Sequence, residues 1–160
     1  MDPDHELRLK VRDSKLLSAA RRASLFDQIM GSAQVHVGIS MVDAGTIDKI
    51  NILKASLMAM REAVLKLELV PRYAIIDGNA APELPCLCTP VIRGDQLEPS
   101  ISAASIVAKV IRDRYMEQMD TLYPGFGFAQ HKGYPTQAHY DAIRSLGACP
   151  IHRRSFRGVC

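Results

Sequence analysis

Tyr73-Ala74-Ile75-Ile76-Asp77-Gly78-Asn79 sets a short apolar run against an abrupt polar stop. A run without alternation is how a strand buried on both faces reads, as in the middle of a parallel sheet. An acid at its end, followed by glycine, puts a carboxylate at the mouth of the sheet, where open α/β folds bind ligands. A second run, Leu87-Cys88-Thr89-Pro90-Val91-Ile92-Arg93, ends in Gly94-Asp95. Two neighbouring strands that each deliver an aspartate to one edge make a cradle for a hard divalent cation. Asp-Gly and Gly-Asp are also ordinary turn chemistry, so spacing alone leaves both readings open.

Working outward, residues 1–17 are polar and irregular. Ser18 then reads as the N-cap of a helix of about 12 residues ending at Gly31, with Leu25, Phe26, Ile29 and Met30 on its apolar side. Val35-His36-Val37-Gly38-Ile39-Ser40-Met41 alternates and predicts a strand with one buried face. After a turn at Asp43-Ala44-Gly45, Thr46 is expected to cap one long helix carrying Ile50, Leu53, Leu57, Val64 and Leu67, closed off by Pro71. Beyond the second strand, the segment Glu98 to Lys109 predicts a helix whose first half is nearly all small residues, able to lie close on a sheet. Pro124-Gly125-Phe126-Gly127-Phe128 ends it in a loop. Thr136 caps a short helix closed by Gly147, and the tail His152-Arg153-Arg154-Ser155-Phe156-Arg157 is the densest basic stretch. This order of elements is α/β. Only three strands are evident, few for the helices that must cover them.

At 160 residues the chain fits one domain. Its 48% hydrophobic and 23% charged residues exclude a disordered chain. A net charge of +3 permits a polyanionic partner without requiring one. Cys86, Cys88, Cys149 and Cys160 include no C-x-x-C pair, and His131, His139 and His152 lack zinc-ligand spacing. Reduced thiols in a cytoplasmic protein, and histidines in core or surface roles, are the expectation. Met1 is followed by Asp-Pro-Asp-His-Glu, too polar for a signal peptide or a membrane span.

Seven segments, met in chain order, resemble the ribonuclease HII family. They are Arg12-Asp13-Ser14-Lys15 with Leu17-Ser18, Ile47-Asp48 with Asn51-Ile52, Ile76-Asp77-Gly78-Asn79, Gly94-Asp95, and Ser102-Ala103-Ala104-Ser105-Ile106-Val107-Ala108-Lys109-Val110. His131-Lys132-Gly133-Tyr134-Pro135-Thr136 and His152-Arg153-Arg154-Ser155-Phe156 complete the set. The likeness covers essentially the whole chain.

The resemblance implies a ribonuclease H-like fold: α/β, a mixed five-stranded sheet flanked by helices, with a helical C-terminal segment. It implies an endonuclease that hydrolyses the RNA strand of RNA–DNA hybrids and incises at single ribonucleotides in duplex DNA. Mn²⁺ or Mg²⁺ would be the cofactor, and the ends left would be 3′-hydroxyl and 5′-phosphate. A full-length member would be a monomer without membrane attachment. Two of the family's four active-site carboxylates match Asp77 and Asp95, which would hold metal and act in catalysis. Tyr134 matches the tyrosine on which the sugar lacking a 2′-hydroxyl stacks at an RNA–DNA junction, that hydroxyl being the chemical mark to be read. Ser14, Lys15, Lys132, Arg153 and Arg154 are candidate phosphate contacts, which position without specifying.

The remaining two acids belong to a D-E-x-G-R-G motif on the family's first strand, and the sequence contains no such motif. The expectation is an N-terminally truncated single domain, residues 1–160, with the first two strands of the fold missing. That implies little or no cutting by this chain. The alternative is a fragment that grips RNA–DNA hybrids without cleaving them. Missing strands would also leave the strand at 35–41 without a neighbour and the strand at 73–76 with an open apolar edge.

Overall fold

The computed structural model describes residues 17–159. They fall into two compact units: the described part of Met1–Ser40 with Leu57–Val110, and Met41–Ser56 with Ile111–Cys160.

In the first unit, helix α1 (Ala19–Met30) forms where its caps direct. The Ser18 side chain accepts from the Arg21 N–H, and Gly31 closes the last turn. Leu25, Phe26 and Ile29 are buried, while Met30, the last helical residue, is 45% exposed. The strand expected at 35–41 is absent: residues 35–43 carry no regular secondary structure. A strand needs a ladder partner, and this backbone packs on a helix instead. A Cβ on Gly38 would lie 2.0 Å from the Ala63 carbonyl oxygen. Ser40 Oγ donates to Glu62 Oε2 at 2.6 Å, and Lys66 Nζ donates to the Ile39 carbonyl at 2.9 Å.

Strands β1 (Tyr73–Asp77) and β2 (Leu87–Val91) pair in parallel, with Tyr73 opposite Leu87 and Asp77 opposite Val91. Among the described residues they form the whole sheet. Pro90 has no N–H to give, which suits β2 to a sheet edge. Burial on both faces of β1, expected from its unalternated run, is not found. Ile76 is buried but Tyr73 is 53% exposed, because β2 lines one side and no described strand lines the other. Beyond β2, helix α4 (Gly94–Leu97) leads into helix α5 (Pro99–Leu122). Pro99 occupies the first helical position, where a missing N–H costs nothing. Ile101, Ser102, Ile106, Val107 and Val110 are buried along the start of α5. Ser102 is among them, as its small side chain allows.

The segment expected to be one long helix is two, α2 (Ala44–Ile50) and α3 (Ile52–Leu65). Asp43, not Thr46, is the cap: its carboxylate accepts from both the N–H and the hydroxyl of Thr46. Asn51 stands between the helices at φ 68°, and its side chain accepts from the Lys54 N–H, capping the second. A left-handed residue re-aims the helix that follows, so the apolar spacing read across it fails. Leu53 is 56% exposed, and Ala55 is buried.

The second unit has its own core. Met116, Phe126, Phe128, Ile143 and Cys149 are buried together, with Tyr115, Met119 and Tyr123 packed against them. Phe126 and Phe128 stack with centroids 5.3 Å apart. Helix α6 (Phe128–His131) is a single turn. Helix α7 (Gln137–Leu146) carries the expected Thr136 cap and Gly147 stop. Residues 147–159 form turns and bends without helix. No helix among the described residues is long and apolar enough to cross a membrane.

Candidate functional site

Each unit carries one part of the candidate set. In the first, parallel pairing sends β1 and β2 in one direction, so their C-terminal ends share an edge. Asp77 closes β1, and Asp95 lies in the first turn of α4, a few residues past β2. Gly94, the residue before Asp95, lets Asp77 come close. A Cβ there would lie 3.5 Å from Asp77 Oδ1, 3.3 Å from Val91 Cβ and 2.5 Å from Ile101 Cδ1. The Asp77 carboxylate therefore reaches over the backbone that delivers Asp95. Asp77 is exposed, and Asp95 is 3% exposed. Gly78, at φ 119°, holds the turn after Asp77, and its N–H donates to the Val91 carbonyl at 3.0 Å. The Asp-Gly turn and the edge carboxylate, set as alternatives by sequence, are both realised.

A pair of hard carboxylates suits Mg²⁺ or Mn²⁺ as a donor set. It is a small one: among the described residues, no group of three or more His, Cys, Asp or Glu is placed to hold a metal ion.

In the second unit, Tyr134 sits on the loop between α6 and α7 with its ring half exposed. Arg112 of α5 supports that loop. It donates to the Lys132 carbonyl at 3.1 Å, and its guanidinium carbon stands 6.0 Å from the Tyr134 ring centroid. Lys132 adopts φ 50°, and its ammonium is ion-paired with Glu117. A phosphate contact by Lys132 would have to replace that partner. Arg153 lies over the Phe156 ring at 5.0 Å. Burial, then the Arg112 charge, push its guanidinium below the usual arginine range, while Asp48 pulls the other way. Arg154 is exposed. The turn carrying it is fixed by Asp48, whose carboxylate accepts from the N–H groups of Arg154 and Ser155, each at 2.9 Å, and from the Ser155 hydroxyl. The hydroxyl bond is the main reason the Asp48 carboxyl is held below the ordinary aspartate range. Ser14 and Lys15 lie outside the described residues.

Sequence reasoning missed Arg112 and Asp48 as supports. Asp48 had a faint signal, a charge beside the buried Ile47. Arg112 had none, being one of many surface-like charges on α5. The histidines were legible only as core or surface: His139 and His152 are buried, at 8% and 7% exposure.

A family model for ribonuclease HII matches residues 2–159. A ribonuclease HII of Polynucleobacter necessarius subsp. necessarius (strain STIR1) is 48% identical over 163 residues, spanning 99% of this chain and 82% of the relative. The solved ribonuclease H2 of Pyrococcus horikoshii OT3 aligns with a TM-score of 0.78 at 23% identity, over 98% of this chain and 82% of that one. The Archaeoglobus fulgidus ribonuclease HII, solved in a complex with PCNA, aligns with a TM-score of 0.73 at 21% identity, over 98% and 83%. At such identities the two structures speak for the fold, which is ribonuclease H-like.

Proposed function

The chain belongs to the ribonuclease HII family, and from that premise we propose that its substrates are RNA–DNA hybrids and duplex DNA carrying single ribonucleotides. The reaction is phosphodiester hydrolysis. Water attacks phosphorus, the bond to the 3′ oxygen breaks, and a proton goes to that leaving oxygen, giving 3′-hydroxyl and 5′-phosphate ends. The observation that carries this reading is the delivery of Asp77 and Asp95 to one sheet edge, with Gly94 clearing the space between. Mn²⁺ or Mg²⁺, when bound there, would supply activation of the water and charge stabilisation of the leaving oxygen. Asp77 would hold the shared position and Asp95 the second. Tyr134 would stack on the sugar at the RNA–DNA junction, with Ser14, Lys15, Lys132, Arg153 and Arg154 on phosphates.

Two carboxylates are half of what such a site uses, so cutting by this chain is slow. The test is cleavage of a duplex bearing one ribonucleotide, with Mn²⁺, by residues 1–160 and by Asp77→Asn. Slow cleavage that vanishes in the variant supports the reading. Cleavage unchanged by Asp77→Asn sinks it, and a fast wild-type rate would show that two acids suffice.

A second reading, hybrid binding without cleavage, is favoured by one contrast: the second unit supports its Tyr134 loop well, whereas among the described residues the first unit offers no group of three or more metal-holding side chains. Hybrid binding that persists without Mn²⁺, with no cleavage in its presence, would select it. On either reading we infer that residues 1–160 belong to one ribonuclease H-like domain of a cytoplasmic protein that is monomeric when full length.

A further inference from the structure

Beneath Tyr134 runs a chain of imidazoles whose protons can be counted. The Cys149 N–H lies 3.0 Å from His152 Nδ1, with the Cys149 Sγ at 3.0 Å and the Cys149 carbonyl oxygen at 3.3 Å from the same nitrogen. His152 Nε2 lies 3.1 Å from His139 Nε2, and His139 Nδ1 lies 3.2 Å from the Tyr134 carbonyl oxygen. A carbonyl only accepts, so His139 carries its proton on Nδ1 and offers a lone pair at Nε2. His152 therefore carries its proton on Nε2 and donates it to His139, and a neutral His152 accepts from the Cys149 N–H at Nδ1. The Tyr134 end fixes the assignment at the joint between the rings, and the Cys149 N–H accommodates it. His131, stacked on His139 with centroids 4.3 Å apart, is fixed in the same manner. It accepts from the Gly133 N–H at Nδ1 and donates from Nε2 to the Phe126 carbonyl at 2.8 Å.

We propose that His139 and His152 are positioning residues, both neutral, that hold the Tyr134 backbone through this one-way hydrogen-bond chain, on which substrate discrimination by Tyr134 depends. The inference rests on the recognition role given to Tyr134 above. A neutral pair places one proton on each ring, between the Cys149 N–H at one end and the Tyr134 carbonyl at the other. Two further bonds show what the chain steadies: the Tyr134 N–H donates to the His131 carbonyl and the Thr136 N–H to the Tyr134 carbonyl, each at 2.8 Å. The ring they present is half exposed on a backbone tied at both of its polar groups.

The titratable groups against the pair are His131 of α6, stacked on His139, and Cys149, beside His152. Burial pushes both His139 and His152 below the ordinary histidine range, with the positive charge of a protonated His131 acting in the same direction. Burial also raises the Cys149 thiol, which keeps it an uncharged neighbour 3.0 Å from His152 Nδ1.

Two measurements on the full 160-residue chain test this. Long-range ¹H–¹⁵N spectra at about pH 7.5, well above the ordinary histidine range, should show Nδ1–H on His139 and Nε2–H on His152 and His131. A cationic His139, or one protonated on Nε2, overturns the inference. Binding is then compared, with EDTA present, between a DNA duplex holding one ribonucleotide and the all-DNA duplex. At about pH 7.5, His139→Asn, whose amide N–H replaces the Nδ1 donor, should keep the wild-type preference. His139→Gln, which replaces only the other nitrogen, should lose about fivefold of it, the scale of one hydrogen bond. Preference that survives in His139→Gln while Tyr134→Ala abolishes it overturns the positioning role alone. A preference untouched in Tyr134→Ala overturns the recognition role instead.

Discussion

The acid edge of the first unit and the imidazole cluster of the second are built on opposite plans. At the acid edge, backbone does the positioning: parallel register and a glycine bring the Asp77 carboxylate against the backbone that precedes Asp95. Among the described residues its strand pair is open, with Tyr73 of β1 53% and Leu87 of β2 72% exposed. In the imidazole cluster, side chains do the positioning. Every ring nitrogen of His131, His139 and His152 has a partner, and the cluster leans on two buried phenylalanines. A site held by strand register depends on how much sheet surrounds it. A site held by a closed network of its own side chains carries its order with it.

The sharpest way to break that contrast is chemical. Asp77→Asn should lower any Mn²⁺-dependent cleavage at least about 100-fold, as loss of a metal-holding carboxylate does, with the unfolding midpoint little changed. A variant that cuts as well as wild type would remove the acid edge from the chemistry. Next in size is Phe128→Ala, which takes a 1% exposed ring out of the second core. It should cost about 3–5 kcal/mol in denaturant unfolding. A cost below about 1 kcal/mol would mean the cluster is far looser than its contacts imply.

Gly38→Ala tests the first unit. The Ala63 carbonyl leaves no room for a methyl group, so a loss of about 1–3 kcal/mol is expected. A neutral result would show that the 35–43 segment does not rest on α3. Smaller still, Ser18→Ala and Thr136→Ala each remove a helix cap, and each should cost about 1 kcal/mol. A much larger cost for Thr136→Ala would tie that cap to the Tyr134 loop rather than to α7 alone.

The mildest handle is pH. His139 and His152 have folded pKa values below those of the unfolded chain, so unfolding takes up protons as the solution turns acid. Their contribution to stability is complete above the ordinary histidine pKa of about 6.5 and is lost as pH falls toward the depressed folded values. Asp48, also depressed, should hold the tail turn until pH falls below the ordinary aspartate value of about 3.9. Urea midpoints measured through both ranges should show two separate declines. A flat profile between about pH 7 and 5 would contradict neutral, buried imidazoles.

Much of the local structure was legible before any coordinates. Ser18, Gly31, Thr136 and Gly147 mark helix ends because a cap needs only a few neighbouring residues to act. The strand ending in Asp77 and the helix of small residues after Asp95 were legible for the same reason: period and punctuation are local. Val35 to Met41 was misread because alternation states only that a strand would fit, while pairing requires a partner that the segment does not meet. The helix break at Asn51 escaped because hydrophobic spacing ignores a backbone φ of 68°.

By itself, then, the amino-acid order determined the caps, the apolar runs and the two aspartates at their ends, together with the family to which the pattern belongs. Tertiary structure alone decided that Gly94 would open the space under Asp77, and that Arg112 and Asp48 would brace the loop and tail from far along the chain. It alone set two histidines thirteen positions apart nitrogen to nitrogen. Hydrogen bonds reach about 3 Å in space whatever the separation in sequence, so no local pattern announces them.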